Sequence, residues 1–466
     1  MKRSFLSSGV VLVSLSLMAT MASPGSMNGH ARVVPRPLIA HPMLFAHQNQ
    51  PLPTLAQCLQ ITLQNGWPLT CMGPAEFRAA YNLGPLFARG LDGRGRTIVI
   101  VDAFGSPTIR KDLATFDEQF GLPAPPSFQI ISPAGPVKFD SRNPEEVNWA
   151  YETTLDVEVA HEVAPGANIL LVTTPVSETE GVQGFPEIVQ AENYVIDNNL
   201  GDVISQSFAA TEETFPSQQS LLDLRSAFKN AYRHGVTVLA ASGDNGATGG
   251  TVDLTCCYPT QVVGWPASDP LVTSVGGTRI QLDADANRTA PDIVWNDYGA
   301  TGGGPSHVFA RPGYQDSVAR VVGQRRGVPD VSLAAFCFGP WLVETFDPNP
   351  RNRGWLLTCG TSEASPLFAG IVAIADQAAG KRLGLLNDRL YRLSGHADSG
   401  LVDVTSGDNS YTFCASACGT AAEVDTTVPG FSAGPGYDMA SGLGTIDATR
   451  LVAALTAGPA DPLRGE

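Results

Sequence analysis

The chain has 466 residues with 29 basic and 45 acidic side chains, a formal charge of −16. That charge argues against nucleic acid and anionic membrane as partners. Charged residues are only 16% of the chain while Gly (48) and Pro (35) are abundant, so a coiled coil or a disordered chain is excluded in favour of a loop-rich globular protein.

In chain order, Lys2 and Arg3 precede an apolar run with small residues near Ala22, the pattern of a secretory signal over 1–22. The run is too short for a spanning helix and no later segment is long and apolar enough to be one. An exported, extracellular, soluble protein with no membrane partner is expected, as a monomer. Residues 23–70 are weakly patterned and read as a short leader or mobile arm, 71–457 as the folded domain, and 458–466 as a tail. Eight cysteines suit export, and their connectivity is not written in the sequence. Proximity suggests Cys58–Cys71 and Cys414–Cys418, and Cys337–Cys359 would staple the insert between them. No Cys/His cluster has zinc spacing.

Regular structure follows. "RTIVIVDAFG" reads as a buried parallel strand and "PTIRKDLATFDEQFGL" as a helix stopping at Gly121. Then come a helix ("ETTLDVEVAHEVA"), a strand ("ANILLVTT"), a helix ("FPEIVQAENYVIDNN") and a strand ("DVISQSF"). A helix capped by Gly235 ("SLLDLRSAFKNAYRHG") and a strand ("VTVLAASGD") complete the series. This alternation predicts an α/β fold, a mainly parallel central sheet with helices on both faces. Catalytic groups in such sheets sit at the carboxyl ends of strands, where Asp102, Ser207 and Asp244 lie.

Ser362, in "GTSEASPLFAG", stands at the start of a predicted helix whose free N–H groups suit an oxyanion; alternatively Thr361 or Ser362 only caps that helix. A nucleophilic serine needs a base. His161 begins "HE", but Pro165 breaks the metalloprotease pattern, and no Gly-Thr follows as it would in a subtilisin. Glu152 and Asp156, four residues apart, share one helix face. Such a pair is either a solvated acidic face or, as neighbouring Trp149, Tyr151, Leu155 and Val157 suggest, a buried pair sharing a proton. Asp244, in "ASGDNGA", is either an Asx-turn residue or a protonated hydrogen-bond donor.

"GTSEASP", the E-x-x-x-D of Glu152 and Asp156, and "ASGDNGA" together resemble the sedolisins, the serine-carboxyl peptidases. "VTSVGGT", "GGGPSHVF" with "RPGYQ", "RGVPDVSL" and "AGPGYDMASGLG" follow in the same order, and the resemblance covers roughly Cys71 to Ala454. It implies a subtilisin-like fold and a secreted endopeptidase acting on proteins and peptides in acid. By that resemblance Ser362 is the nucleophile, Glu152 the general acid/base, Asp156 its orienting partner and Asp244 the oxyanion donor. It also implies one structural Ca²⁺, held by Asp403, Asp438 and the carbonyls of Val404, Gly434 and Gly436, where spacing alone shows only Asp/Gly turns. The family commonly carries a long prodomain; here the 23–70 leader acts in reduced form or the enzyme folds without one. The cysteine-bracketed insert 337–359 lines the cleft or is a surface hairpin. Two other readings stand against this one: a subtilisin-type Ser/His/Asp peptidase using His161 and Asp102, and an inactive peptidase-like binding protein.

Overall fold

The computed structural model describes residues 43–47, 50–253, 256–347, 349–414 and 425–457. The expected signal, the tail and Cys418 lie outside the described residues. Strand β1 (Met43–Ala46) comes first, followed by β2 (Thr97–Ala103), α1 (Ile109–Phe120), β3 (Phe128–Ile131), α2 (Pro144–Val163), β4 (Asn168–Thr174), α3 (Phe185–Asp197) and β5 (Val203–Gln206). After these lie α4 (Ser226–His234), β6 (Thr237–Ala241), β7 (Thr273–Arg279), β8 (Ile293–Val294), β9 (Val331–Ala334), β10 (Trp341–Glu344), β11 (Gly354–Leu357) and α5 (Thr361–Ala379).

The central sheet has eight strands in the order β8-β7-β6-β5-β2-β4-β3, with β9 also paired to β7. Every pairing is parallel except β8 with β7. The β-branched runs that lack alternation are buried on both faces, as a sheet covered by helices requires. One face packs a large cluster containing Leu155, Val159, Leu367 and Ile371 from α2 and α5. The other packs Ile188 and Val195 of α3 with Phe228 of α4. The fold is therefore α/β, a mainly parallel central sheet with helices on both faces, as expected. The single helix read over "SLLDLRSAFKNAYRHG" is instead broken: Gln218–Leu222 is one helix, and α4 restarts at Ser226.

Two helices matter most for the site. α2 begins with the Asn143 side chain accepting from Glu145 N and Pro144 at its first position. From Trp149 to Val163 it is buried on all sides, so its acidic residues have no solvated face. α5 lies directly against it. A Cβ on Gly370 would sit 2.6 Å from Val163 Cγ1, so this close approach needs glycine.

The insert is no surface hairpin. β10 and β11 pair antiparallel and bury Trp341, Val343, Trp355 and Leu357. Glu158 of α2 accepts from Val343 N at 3.0 Å, Asp112 of α1 accepts from Thr345 Oγ1 at 2.7 Å, and Tyr151 OH donates to Asp347 at 2.9 Å. β1 adds a third strand on β11, with Met43 opposite Leu357, so from there the stretch read as a leader packs on the body. Cys58–Cys71 and Cys337–Cys359 are disulfides. Cys256 is also disulfide-bonded, and Cys257 is free. Among the described residues no helix is long and apolar enough to cross a membrane.

Candidate active site

Ser362 is the second residue of α5. Gly360, at φ +127°, makes the turn into the helix, and its N–H donates to Ala335 O at 3.0 Å just beyond β9. Ser365, one turn on, bonds Ser205 of β5 at 2.8 Å, which ties the start of α5 to the sheet. Glu152 projects from α2 toward the same point. Both Glu152 oxygens and Ser362 Oγ are closed to solvent and close no hydrogen bond of ordinary geometry. The Ser362 hydroxyl is nonetheless near enough to draw the Glu152 proton affinity down, against burial and the charges of Asp102 and Asp244, which push it well up.

Asp156 lies one turn further along α2. Its Oδ1 accepts from Ser207 Oγ at 2.8 Å, just past β5. Burial, then the charges of Asp102 and Glu152, hold its carboxyl well above the usual carboxylate range, and the Ser207 bond opposes them. Asp102, near the end of β2, is raised to about 7 by burial, with Thr153 and Asp156 pulling it down. Three carboxyl groups thus meet in a buried space where, among the described residues, no lysine or arginine pairs with them, so they cannot all be ionised. Sequence reasoning missed the parts of Asp102 and Ser207 in this set; the only signal was their shared place at strand ends.

Asp244 follows β6. Its Oδ1 accepts from both the Thr361 N–H and the Thr361 hydroxyl at 2.8 Å, while Oδ2 is buried and unpartnered. Burial raises it to about 7, with the Thr361 bonds opposing. It is therefore protonated in acid, with Oδ1 occupied as an acceptor and Oδ2 free to carry the proton.

The Ser/His/Asp alternative is not formed. His161 is nine residues beyond Glu152 on α2, and its Nε2 lies 3.0 Å from both Asp117 Oδ1 and Pro123 O. Asp102 faces Thr153 and Asp156 instead of an imidazole.

The five residues expected to hold calcium also come together. Gly436 N donates to Asp403 at 2.8 Å and Gly434 N to Asp438 at 3.0 Å. Ser441 Oγ lies 3.1 Å from Asp438 Oδ1 and 3.4 Å from the Val404 carbonyl. Among the described residues no three His, Cys, Asp or Glu side chains gather as a metal site, so an ion here would rest on two carboxylates and main-chain oxygens. That all-oxygen donor set fits calcium.

A serine and buried carboxyl groups thus meet at one edge of a parallel sheet. A model of the subtilase family matches residues 145–392, and the chain belongs to that family. Within it the chain groups with the sedolisins. It is 32% identical over 397 residues to kumamolisin of Bacillus sp. (strain MN-32), covering 83% of this chain and 64% of that protein. It is 31% identical over 315 residues to tripeptidyl-peptidase 1 of Homo sapiens, covering 63% of this chain and 50% of the relative. The chain thus spans about half to two thirds of the length of these relatives. Among solved structures, Pseudomonas sedolisin, a serine-carboxyl proteinase complexed with two molecules of pseudo-iodotyrostatin, superposes with a TM-score of 0.66 at 26% identity. That match covers 82% of this chain and 97% of the sedolisin.

Proposed function

We propose that this protein is an exported serine-carboxyl endopeptidase that cleaves proteins and peptides internally at acidic pH. The observation that carries the reading is the buried, unpartnered pair of Glu152 and Ser362 Oγ, backed by Asp156, Asp102 and Ser207. With the pair's one proton held on Asp156, the ionised Glu152 takes the Ser362 Oγ proton as that oxygen attacks the scissile carbonyl. Asp244, protonated, donates from Oδ2 to the developing oxyanion. Glu152 then returns the proton to the leaving amine, and water cleaves the acyl-enzyme by the reverse sequence. A peptide-library digest across pH 2–8, with and without Ser362, tests the reading; an inactive binding protein would give no fragments at any pH.

Asp244 supports a finer expectation. Asp244→Ala lowers kcat by about 10²–10³-fold, the usual effect of losing one oxyanion donor. Asp244→Asn keeps a donor: its oxygen takes the Thr361 bonds and its NH₂ falls where Oδ2 stood. Because Asp244 ionises near 7 and then repels an oxyanion, wild-type kcat is lost above that pH. In Asp244→Asn that alkaline limb moves upward, and a limb at an unchanged pH would refute the role.

We also infer one structural Ca²⁺ at Asp403, Asp438 and the carbonyls of Val404, Gly434 and Gly436. The ion would neutralise the two carboxylates and tie their loops together. Chelation with EGTA is expected to lower the melting temperature by several degrees and Ca²⁺ to restore it; no change would remove the site.

A further inference from the structure

Loop 175–184 leaves the carboxyl end of β4 and joins it to α3. Ser177 Oγ is bonded to Glu145 at the start of α2. Glu180 accepts from Thr211 N at 2.7 Å and Thr211 Oγ1 at 3.2 Å. Glu145 and Glu152 are seven residues apart on one helix, hence on one face of α2. β4 pairs with β2 so that Thr174 stands opposite Ala103, next to Asp102. The loop therefore crosses the same sheet edge and helix face that present Glu152.

Glu178 stands between these two attachments. It is 3% exposed, and its Oε2 is buried without a partner. Burial raises its carboxyl, and the charges of Glu152, Glu145 and Glu180 raise it further. Among the described residues no lysine or arginine pairs with Glu145, Glu178 or Glu180, whereas the nearby Glu213 has His307. The buried Oε2 of Glu178 is therefore unpartnered in a space where the charges of Glu152, Glu145 and Glu180 all act on it. The charge of Glu152 acts on Glu178, which places the Glu178 carboxyl in the same acidic neighbourhood as the proposed general base.

We propose that Glu178 is the acceptor for a basic side chain of the substrate, Lys or Arg, lying within about two residues of the scissile bond. The inference rests on the peptidase reading above. An incoming guanidinium would ionise Glu178 and supply the cation that the acidic space lacks.

The test uses pairs of otherwise identical peptides carrying arginine or its neutral isostere citrulline, placed in turn at each position within two residues of the cleaved bond. The readout is the ratio of kcat/KM within a pair at pH 4, in which the fraction of folded enzyme cancels. In the wild type this ratio is expected to reach about tenfold or more at one position and to fall toward one in Glu178→Gln. A ratio near one at every position in the wild type, or an unchanged ratio in Glu178→Gln, would overturn the inference while leaving the peptidase reading intact. If the wild type cleaves neither member of any pair, the peptidase reading fails and takes this inference with it.

Discussion

Ser362→Ala is expected to lower kcat/KM for peptide hydrolysis by about 10⁴–10⁶-fold, and Glu152→Gln by about 10²–10⁴-fold. The asymmetry has a physical cause. Removing the hydroxyl removes the covalent route entirely. Glutamine keeps the shape of the side chain but can neither take the Ser362 proton nor return it to the leaving amine. Both residues are fully buried on well-packed helices, and the substitutions are nearly isosteric, so loss of folding does not account for the effect. The two losses should not add, because serine and base act as one unit. Combining them should cost little more than Ser362→Ala alone. Steady-state rates of the three variants decide this, and a double variant far slower than Ser362→Ala would separate the two residues.

Thermal stability is expected to fall as pH rises from 4 to 8, opposite to the usual acid denaturation of a protein rich in ion-paired carboxylates. The cause is the number of carboxyl groups whose proton affinity burial raises. Burial holds Glu158, Glu162 and Glu363 well above the usual range. It raises Glu192 and Glu344 to about 8 and Asp376 to about 7. Below pH 4 these groups are protonated whether the chain is folded or not, and the fold keeps its full stability. Between pH 4 and the folded values the unfolded chain ionises first and gains free energy that the folded one cannot match. Stability is lost through that window. For Asp376, a rise from 3.8 to about 7 is worth about 4 kcal/mol at neutral pH. Several such groups should lower the melting temperature by about 10 °C or more between pH 4 and 8. Calorimetry in a pH series checks this, and a melting temperature flat or rising over that range would contradict it. The same burial suits an enzyme working in acid, since the fold is firmest where Asp244 is protonated.

Much of this was legible in the sequence because it is written locally. The unbroken β-branched run of "TIVIVDA" can only be a strand covered on both faces, and Gly121 and Gly235 end their helices in left-handed conformations. The spacing of Glu152 and Asp156 put them on one face before any coordinates did. What the spacing could not tell is whether that face meets water. The i,i+4 pattern of an acidic solvated helix and that of a buried carboxyl pair are identical in sequence, and only the packing of α5 on α2 distinguishes them. Glu158, Glu162 and Glu178 were passed over for this reason. Long-range pairing was equally hidden: nothing in "MLFA" announces that it adds a strand to a hairpin some three hundred residues later. Asp102 was weighed as the partner of a histidine because strand ends attract catalytic aspartates, yet its neighbours are carboxyl and hydroxyl groups.

The most direct measurement is the pH dependence of kcat/KM from pH 2 to 8 for wild type and His161→Gln, using initial rates on one uncharged peptide. A hydroxyl activated by carboxyl groups, with Asp244 as donor, predicts activity that peaks in acid and falls away above about pH 7, with the same profile in both proteins. Activity that climbs through pH 6–7 to a neutral plateau, and disappears in His161→Gln, would contradict it.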